Sequence, residues 1–323
     1  MDIPFFAIVL PTYNVADHIE RCIASLINQS FKNFEMIFVD DCGQDNSISL
    51  IQPYQKNDNR IRIISGDKNR GTYHARRLGV EQARGEYVVF VDPDDELERD
   101  FLATLHNHLL TNPSDIIFYK VSIAPKKKWY QSSLNTLPKP NKSQLLEATF
   151  QRRLFSYKTI TYGTPGKAYR REFIASIYNE LAIDPEFRFV FAEDNLVFFT
   201  AALKNPNYSV LPIAGYRYHL NETSITNIAQ SKTDVSFITK QVQFSIKKTK
   251  KMIALSDITK KEKNFFDYFF GRHTESGFSF VQRFEDDGSK YLYHLWKAFR
   301  YLPDVKLLAR MVIYFGSFGT IKL

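Results

Sequence analysis

Residues 86–96 read EYVVFVDPDDE, an apolar run that stops abruptly at carboxylates. Gly85 opens it and Pro93 follows it, so the run is short and bounded, as a buried strand is. Two upstream stretches repeat the pattern. FFAIVL (5–10) ends in Pro11, Thr12, Tyr13 and Asn14, and FEMIFV (34–39) ends in Asp40 and Asp41. IRII (61–64) is a fourth, shorter run. Between the runs, Ile19, Cys22, Ile23 and Leu26 recur at helical spacing, and helical stretches are predicted near 46–56 and 72–83. Strands alternating with helices predict βαβ units: a Rossmann-like α/β domain with a mostly parallel sheet flanked by helices. Such sheets bind ligands beyond the carboxyl ends of their strands, where these polar residues gather.

After residue 100 the rhythm changes. A helix is predicted at about 98–111 and a strand at 115–121. Residues 124–143, rich in Pro, Lys and Ser, read as a long loop of the lid-forming kind. Mixed elements follow to about 220. From 231 onward the chain reads as a helical module rich in basic and aromatic residues.

Charge follows the same division. The chain has 323 residues and a net charge of +8. Residues 1–230 carry 26 basic and 26 acidic side chains, whereas 231–323 carry 17 and 9. The larger part therefore has no positive excess for a phosphate backbone, which argues against nucleic acid as a partner. The longest stretches without a charge span 14 residues, short of the roughly 20 a spanning helix needs. The run at Phe5–Leu10 is too short for a signal-peptide core. The two cysteines, Cys22 and Cys42, show neither metal-ligand nor disulfide spacing, and Cys22 lies on an apolar stripe. These features predict a cytoplasmic protein.

Each polar cluster has a chemical and a structural reading. Asp92 and Asp94, two apart in a turn, suit a hard divalent cation, Mn²⁺ or Mg²⁺, that would neutralise a nucleotide's diphosphate. Asp-Pro-Asp equally suits a solvated turn. Asp40 and Asp41 could accept from a base or ribose, or cap the next helix. Tyr13 could stack on a base, and Asn14 could cap the helix that begins near Val15. Glu193-Asp194 precedes Leu196, Phe199, Thr200 and Leu203 at helical spacing, which puts Asp194 at a helix N-terminus. A carboxylate there is either a dipole-stabilised cap or a general base. His219, in YRYH (216–219), could reach a metal but reads equally as a hydrogen-bonded structural residue. Neither a GxGxxG loop nor a P-loop occurs.

Taken together, these residues resemble the family 2 glycosyltransferases of the GT-A fold. The resemblance is carried by IVLPTYN (8–14), NQSFKNFEMIFVDDCGQDNS (28–47), KNRGTYHARRLGVEQARGEYVVFVDPDDE (68–96) and AEDNLVFFTAAL (192–203). It implies inverting, metal-dependent transfer from a UDP-sugar to a glycan or lipid-linked oligosaccharide acceptor in surface polysaccharide synthesis. By position it implies that Pro11, Thr12, Tyr13 and Asn14 hold the base and that Asp40 and Asp41 lie on the donor, with Asp41 on the uracil edge. It places Asp92 on ribose, Asp94 on the cation with support from Asp95, and Asn69, Gly71 and Arg76 in the stretch that closes over the donor. Asp194 would deprotonate the acceptor, with Glu193 and the Gly166-Lys167 segment on the acceptor side. One departure is Arg77, where family members often have Asn. GTYHAR and DDCGQDNS look most like bacterial lipooligosaccharide and β-1,3-galactosyltransferases, which makes UDP-galactose the first expectation and a UDP-N-acetylhexosamine the second. The competing readings are an α/β nucleotidyltransferase and an inactive sugar-nucleotide-binding partner.

These readings divide the chain into a donor half (1–100), an acceptor half (101–230) and a basic module (231–323). In the module Leu292, Leu295, Phe299 and Leu302 share a helical face, with Lys290, Lys297 and Arg300 opposite. Lys240, Lys247 and Lys251 share another. Basic amphipathic helices with aromatics suit an anionic membrane surface, and peripheral attachment to the inner face of the membrane is one expectation. Docking on the catalytic domain or a homodimer is the other.

Overall fold

A computed structural model describes residues 3–124, 163–220 and 232–260, the helix 288–301, and scattered helical residues up to 312. The chain forms two compact units, Met1–Asn221 and Glu222–Leu323. The long loop expected from 124 to 143 lies outside the described residues beyond Ala124.

In the first unit, β1 (Phe6–Thr12), β2 (Phe34–Asp40), β3 (Ile61–Ser65) and β4 (Tyr87–Phe90) alternate with α1 (Ala16–Ile27), α2 (Ser47–Asn57) and α3 (Thr72–Gln82). Then come β5 (Glu96–Leu97), α4 (Phe101–Thr111), β6 (Ile116–Ala124), β7 (Lys167–Arg170), α5 (Arg171–Leu181), α6 (Glu193–Leu203) and β8 (Tyr208–His219). All eight strands form one sheet in the order β3-β2-β1-β4-β7-β6-β8-β5. The expected parallel arrangement holds across β3-β2-β1-β4. Beyond β4 the sheet is mixed: β7 runs antiparallel to β4 and β6, β6 and β8 are parallel, and β5 is antiparallel to β8.

β1 and β4 are almost wholly apolar and buried, and β2 is buried along nearly its whole length, because both faces of the sheet are covered there. Phe6, Ile8 and Leu10 pack with Ile19, Cys22, Ile23 and Leu26 of α1, and Met36, Phe38, Tyr87 and Val89 join the same cluster. Each large apolar side chain buried this way contributes about 1.5–3 kcal/mol. On the other face α3 lies close to the sheet: a Cβ on Gly79 would come within 2.3 Å of Val9 Cγ1. One charge sits in this core. Glu35 accepts from Arg62 at 2.7 Å and from the amides of Arg84 (2.6 Å) and Gly85 (3.1 Å), tying β2 to β3 and to the start of β4.

The strand order positions the site. From β1 the chain moves outward through β2 to β3, then returns to place β4 on the other side of β1. That reversal opens a crevice beyond the carboxyl ends of β1 and β4. Thr12 pairs with Asp40 and Val9 with Phe90, so the three polar strand exits lie side by side.

In the second unit, α7 (Lys232–Leu255) and α8 (Gly288–Tyr301) are the long helices among the described residues. Leu302, expected on the apolar face of α8, lies outside the described residues.

Candidate active site

The β1 exit is shaped by the loop after β2. Asn14 adopts a positive φ of 51°, and its Oδ1 accepts from the Gln44 amide at 2.7 Å. It does not cap α1, contrary to the sequence reading. The amides of Val15 and Ala16 donate instead to Ser47 Oγ (3.0 Å) and Asp45 Oδ2 (2.8 Å), caps supplied from 29 or more residues away. Thr12 is buried and donates to the Leu10 carbonyl, while Tyr13 is 39% exposed just beyond β1. Pro11 is half-buried within β1.

At the β2 exit, Asp40 Oδ1 accepts from the Cys42 amide at 2.9 Å. Asp41 is buried and reaches further: its two oxygens accept the amides of Arg70 (2.7 Å) and Gly71 (2.9 Å). Burial raises its pKa against the pull of those two amides. Asp41 thus holds the loop that starts α3. Gly71 has φ 89°, and a Cβ there would meet the Phe189 carbonyl at 2.5 Å, so this position requires glycine. The strand-like stretch before α6 is stitched onto this loop. Phe189 donates to Arg70 O, Tyr73 donates to Phe189 O, His74 Nε2 contacts Phe187 O at 3.1 Å, and Arg188 Nε donates to Asn69 Oδ1 at 2.7 Å.

Arg76, on α3, is the centre of the arrangement. It is 6% exposed and makes two ion pairs, to Asp92 Oδ1 at 2.8 Å and to Glu193 Oε1 at 2.9 Å. It therefore joins the end of β4 to the first turn of α6. Burial works against its charge, and the two carboxylates outweigh it, so its pKa is raised. Its Nε is buried without a hydrogen-bond partner. Beside it lies a small cavity of about 10 Å³ lined by Thr164, Tyr169, Tyr178 and Asp194 among others, room for one water.

The Asp92–Asp95 turn splits in two. Asp92 and Asp94 are half-buried, and Arg21 donates to the Asp94 carbonyl at 2.5 Å. Asp95 is fully buried, with Oδ2 accepting from Tyr216 Oη at 2.6 Å and Oδ1 from the His219 amide at 2.7 Å. Burial, with the charges of Asp92 and Asp94, pushes its pKa up to about 9. Asp95 thus ties the acidic turn to β8 through Tyr216 and His219. The His219 ring nitrogen Nε2 pairs with Glu96 at 2.5 Å.

Asp194 occupies the first turn of α6, whose N-cap Ala192 has φ 63°. It is half-buried, with Oδ1 on the Asn195 amide. Glu193 is 7% exposed and turned onto Arg76. Burial and the adjoining Asp194 raise its pKa, with Arg76 opposing. Gly166 and Lys167 are buried as well. Lys167 Nζ donates to the Gly163 carbonyl and sits 5.1 Å over the Phe198 ring. Burial pushes its pKa down to about 7, against the attraction of Asp194.

Residues 7–177 match the family model described as glycosyl transferase family 2.

The chain belongs to this glycosyltransferase family.

It is 32% identical over 250 residues to an uncharacterised glycosyltransferase, EpsJ, of Bacillus subtilis, covering 76% of this chain and 69% of that protein. It is 28% identical over 231 residues to the succinoglycan biosynthesis protein ExoO of Rhizobium meliloti, covering 70% and 64%. The structure of S. aureus TarS 1–349 with UDP-GlcNAc superposes with a TM-score of 0.64 at 20% identity, covering 97% of this chain and 88% of that one. At that identity the likeness shows the fold: this glycosyltransferase has a GT-A α/β sheet followed by a helical C-terminal region.

Family membership sharpens the cation question. Among the described residues no three His, Cys, Asp or Glu side chains cluster closely enough to hold a metal by themselves. Asp92, with one oxygen on Arg76, and Asp94 supply hard oxygen donors at a single turn. Two carboxylates completed by substrate phosphates is how Mg²⁺-type ions are held in nucleotide sites, so the donor set fits.

The sequence reading of this transferase missed Arg76 as a bridge and Tyr216 as the anchor of the acidic turn. Tyr216 is buried, accepts from the Asp92 amide at 3.1 Å and donates to Asp95. The available signal was an arginine on the sheet-facing side of α3, where a charge requires buried carboxylates.

Proposed function

We propose that this protein is an inverting, metal-dependent hexosyltransferase. It moves a hexose or N-acetylhexosamine from a UDP-sugar to a hydroxyl of a glycan or lipid-linked oligosaccharide, in the synthesis of a surface polysaccharide or lipooligosaccharide. The observation that carries the reading is the Asp92–Arg76–Glu193 bridge, which brings the acidic turn and Asp194 into one site.

In this reading Pro11, Thr12 and Tyr13 receive the base, with Tyr13 as the stacking ring. Asp41 holds the Arg70–Gly71 loop around it and keeps lone pairs for the base edge. Asp92 orients the ribose. Asp94 and Asp92 would hold Mn²⁺ or Mg²⁺, which would supply positive charge against the leaving diphosphate. Asp194 takes the acceptor proton as the acceptor oxygen bonds to the anomeric carbon. The bond from that carbon to the diphosphate breaks with its electron pair leaving on UDP, so the configuration inverts. The first 100 residues serve the donor and residues 101–230 the acceptor. The succinoglycan name of ExoO supports a polysaccharide product. UDP-galactose is the first donor to try, and the TarS complex with UDP-GlcNAc supports testing the N-acetylhexosamine beside it. The place of work is the cytoplasmic face of the membrane, where lipid-linked acceptors would be met.

The test is UDP release from UDP-galactose and UDP-GlcNAc, with galactoside and hexosaminide acceptors, with Mn²⁺ and after chelation. Acceptor-stimulated release that needs the cation supports the proposal. Release that survives chelation removes the metal role, and no release from any UDP-sugar removes the UDP donor.

A further inference from the structure

The exposed side of α8 carries an unusual set of residues. The helix buries Tyr291, Leu295 and Ala298 with Met311, and Leu292 and Phe299 pack at the margin. On the opposite side Lys290, Tyr293, Trp296 and Arg300 follow at intervals of three, three and four, so they form one stripe. Tyr293 is 51% exposed and Trp296 49%. A cation lies over each ring: Lys297 Nζ at 4.7 Å from the Tyr293 centroid, and the Arg300 guanidinium at 4.9 Å from that of Trp296.

The outward face of an amphipathic helix in a water-soluble domain is mainly polar and charged. Here two large amphipathic rings sit among cations, which is the composition of the membrane–water boundary. Three more apolar side chains of this unit are exposed: Leu255 at the end of α7, Leu308 and Val312. On α7 itself the exposed residues Lys240, Lys247, Lys250 and Lys251 add positive charge.

We propose that the Lys290–Tyr293–Trp296–Arg300 face of α8 docks on an anionic phospholipid bilayer. The two rings enter the headgroup layer, and the cations lie over lipid phosphates. Charge complementarity selects this occupant, since residues 231–323 hold the whole net charge of +8. A second copy of the face is disfavoured because it would set like charges against each other. A nucleic acid would leave the exposed aliphatic side chains without a partner. Glu275 lies 3.5 Å from the Lys297 ammonium and offsets part of its charge. The docking rests on the proposed function only in what it is for, which is to hold the enzyme where a lipid-linked acceptor is presented.

The chain has two tryptophans, Trp129 and Trp296, so Trp129→Phe leaves Trp296 as the sole reporter. Its emission is followed with vesicles of phosphatidylcholine alone and of phosphatidylcholine with phosphatidylglycerol in equal amounts. Expected are a blue shift and quenching by brominated acyl chains with the anionic vesicles only, reversed by salt. In the unmodified background, replacing both rings by serine should weaken co-sedimentation about tenfold, and Arg300→Glu by about fivefold or more. No shift, no quenching, equal binding to neutral vesicles, or undiminished binding of the double-serine variant would overturn the proposal. So would tighter binding to a DNA duplex than to the anionic vesicles. UDP release with a soluble acceptor is read on the same samples. If docking fails, vesicle binding is absent while release persists; if the transferase reading fails, release is absent while vesicles bind.

Discussion

The two sides of the crevice are built by different means. Beyond β1 and β2, acidic and amide side chains hold backbone: Asp40 the Cys42 amide, Asp41 those of Arg70 and Gly71, Asn14 that of Gln44. Beyond β4 and at the start of α6, carboxylates meet mainly other side chains: Glu193 meets Arg76, Asp95 meets Tyr216, and Glu96 meets His219. The first side is thus shaped by bonds from strand exits to backbone. The second depends on pairs that span more than a hundred residues, and Arg76 fastens α3 to both β4 and α6. A change on the first side should deform a loop, whereas a change on the second should leave a buried charge unmatched.

The largest effect is expected at the one acidic side chain of α6 that the fold leaves half-exposed. Asp194→Asn should lower the transfer rate by about 10²–10⁴-fold while leaving UDP affinity unchanged, read by UDP release and by titration calorimetry. Parallel loss of both would make Asp194 a structural cap. Next comes the fastener. Arg76→Met leaves Asp92 and Glu193 buried without their cation and should cost about 3–5 kcal/mol in urea unfolding. Adding Glu193→Gln should restore part of that loss, and strict additivity would break the idea of a shared network. Gly71→Ala strains a positive-φ position at a cost of about 1–3 kcal/mol. Because its Cβ would press on Phe189, just ahead of α6, both donor KM and kcat should change; a change in KM alone would mean that the two sides act independently.

The last effect is a pH slope, spread over several pH units rather than felt at one. Lys167 has a folded pKa near 7, below its ordinary value of 10.5. Between those values the unfolded chain holds the proton and the folded chain does not, so stability should rise with pH across that window and be lower at and below its start. The expected gain is about 1.4 kcal/mol per pH unit. Unfolding of Lys167→Met beside the parent protein at pH 7 and 9 reads it, and identical slopes would show that the ammonium stays charged inside.

Legibility in the sequence follows the same divide. β1 and β4 announced themselves because both of their faces are buried, which leaves unbroken apolar runs such as FFAIVL and YVVFV. Asp194 was legible because Leu196, Phe199 and Leu203 mark the helix it begins. By contrast β7, α5 and β8 were blurred together, since β7 has four residues and antiparallel strands can join from anywhere in the chain. Asn14 looked like a cap from its place before α1, but its left-handed backbone turned it toward Gln44 and left the capping to Asp45 and Ser47. In the helical module, spacing separated the apolar and basic faces of α8, but whether Tyr293 and Trp296 lie outside depends on where the core falls.

Local patterns therefore determined the α/β class, the parallel half of the sheet, the family and the acidic residues at the strand ends and at the start of α6. Periodicity and strand exits are properties of neighbours along the chain, and no partner is needed to read them. Only the tertiary structure decided which carboxylates face the crevice and which are consumed by the fold. That choice rests on side chains brought together from distant positions: Arg76 draws Glu193 inward, and Tyr216 with His219 takes Asp95. A buried charge or polar group must be matched wherever the fold places it, and the match leaves no pattern in the local sequence.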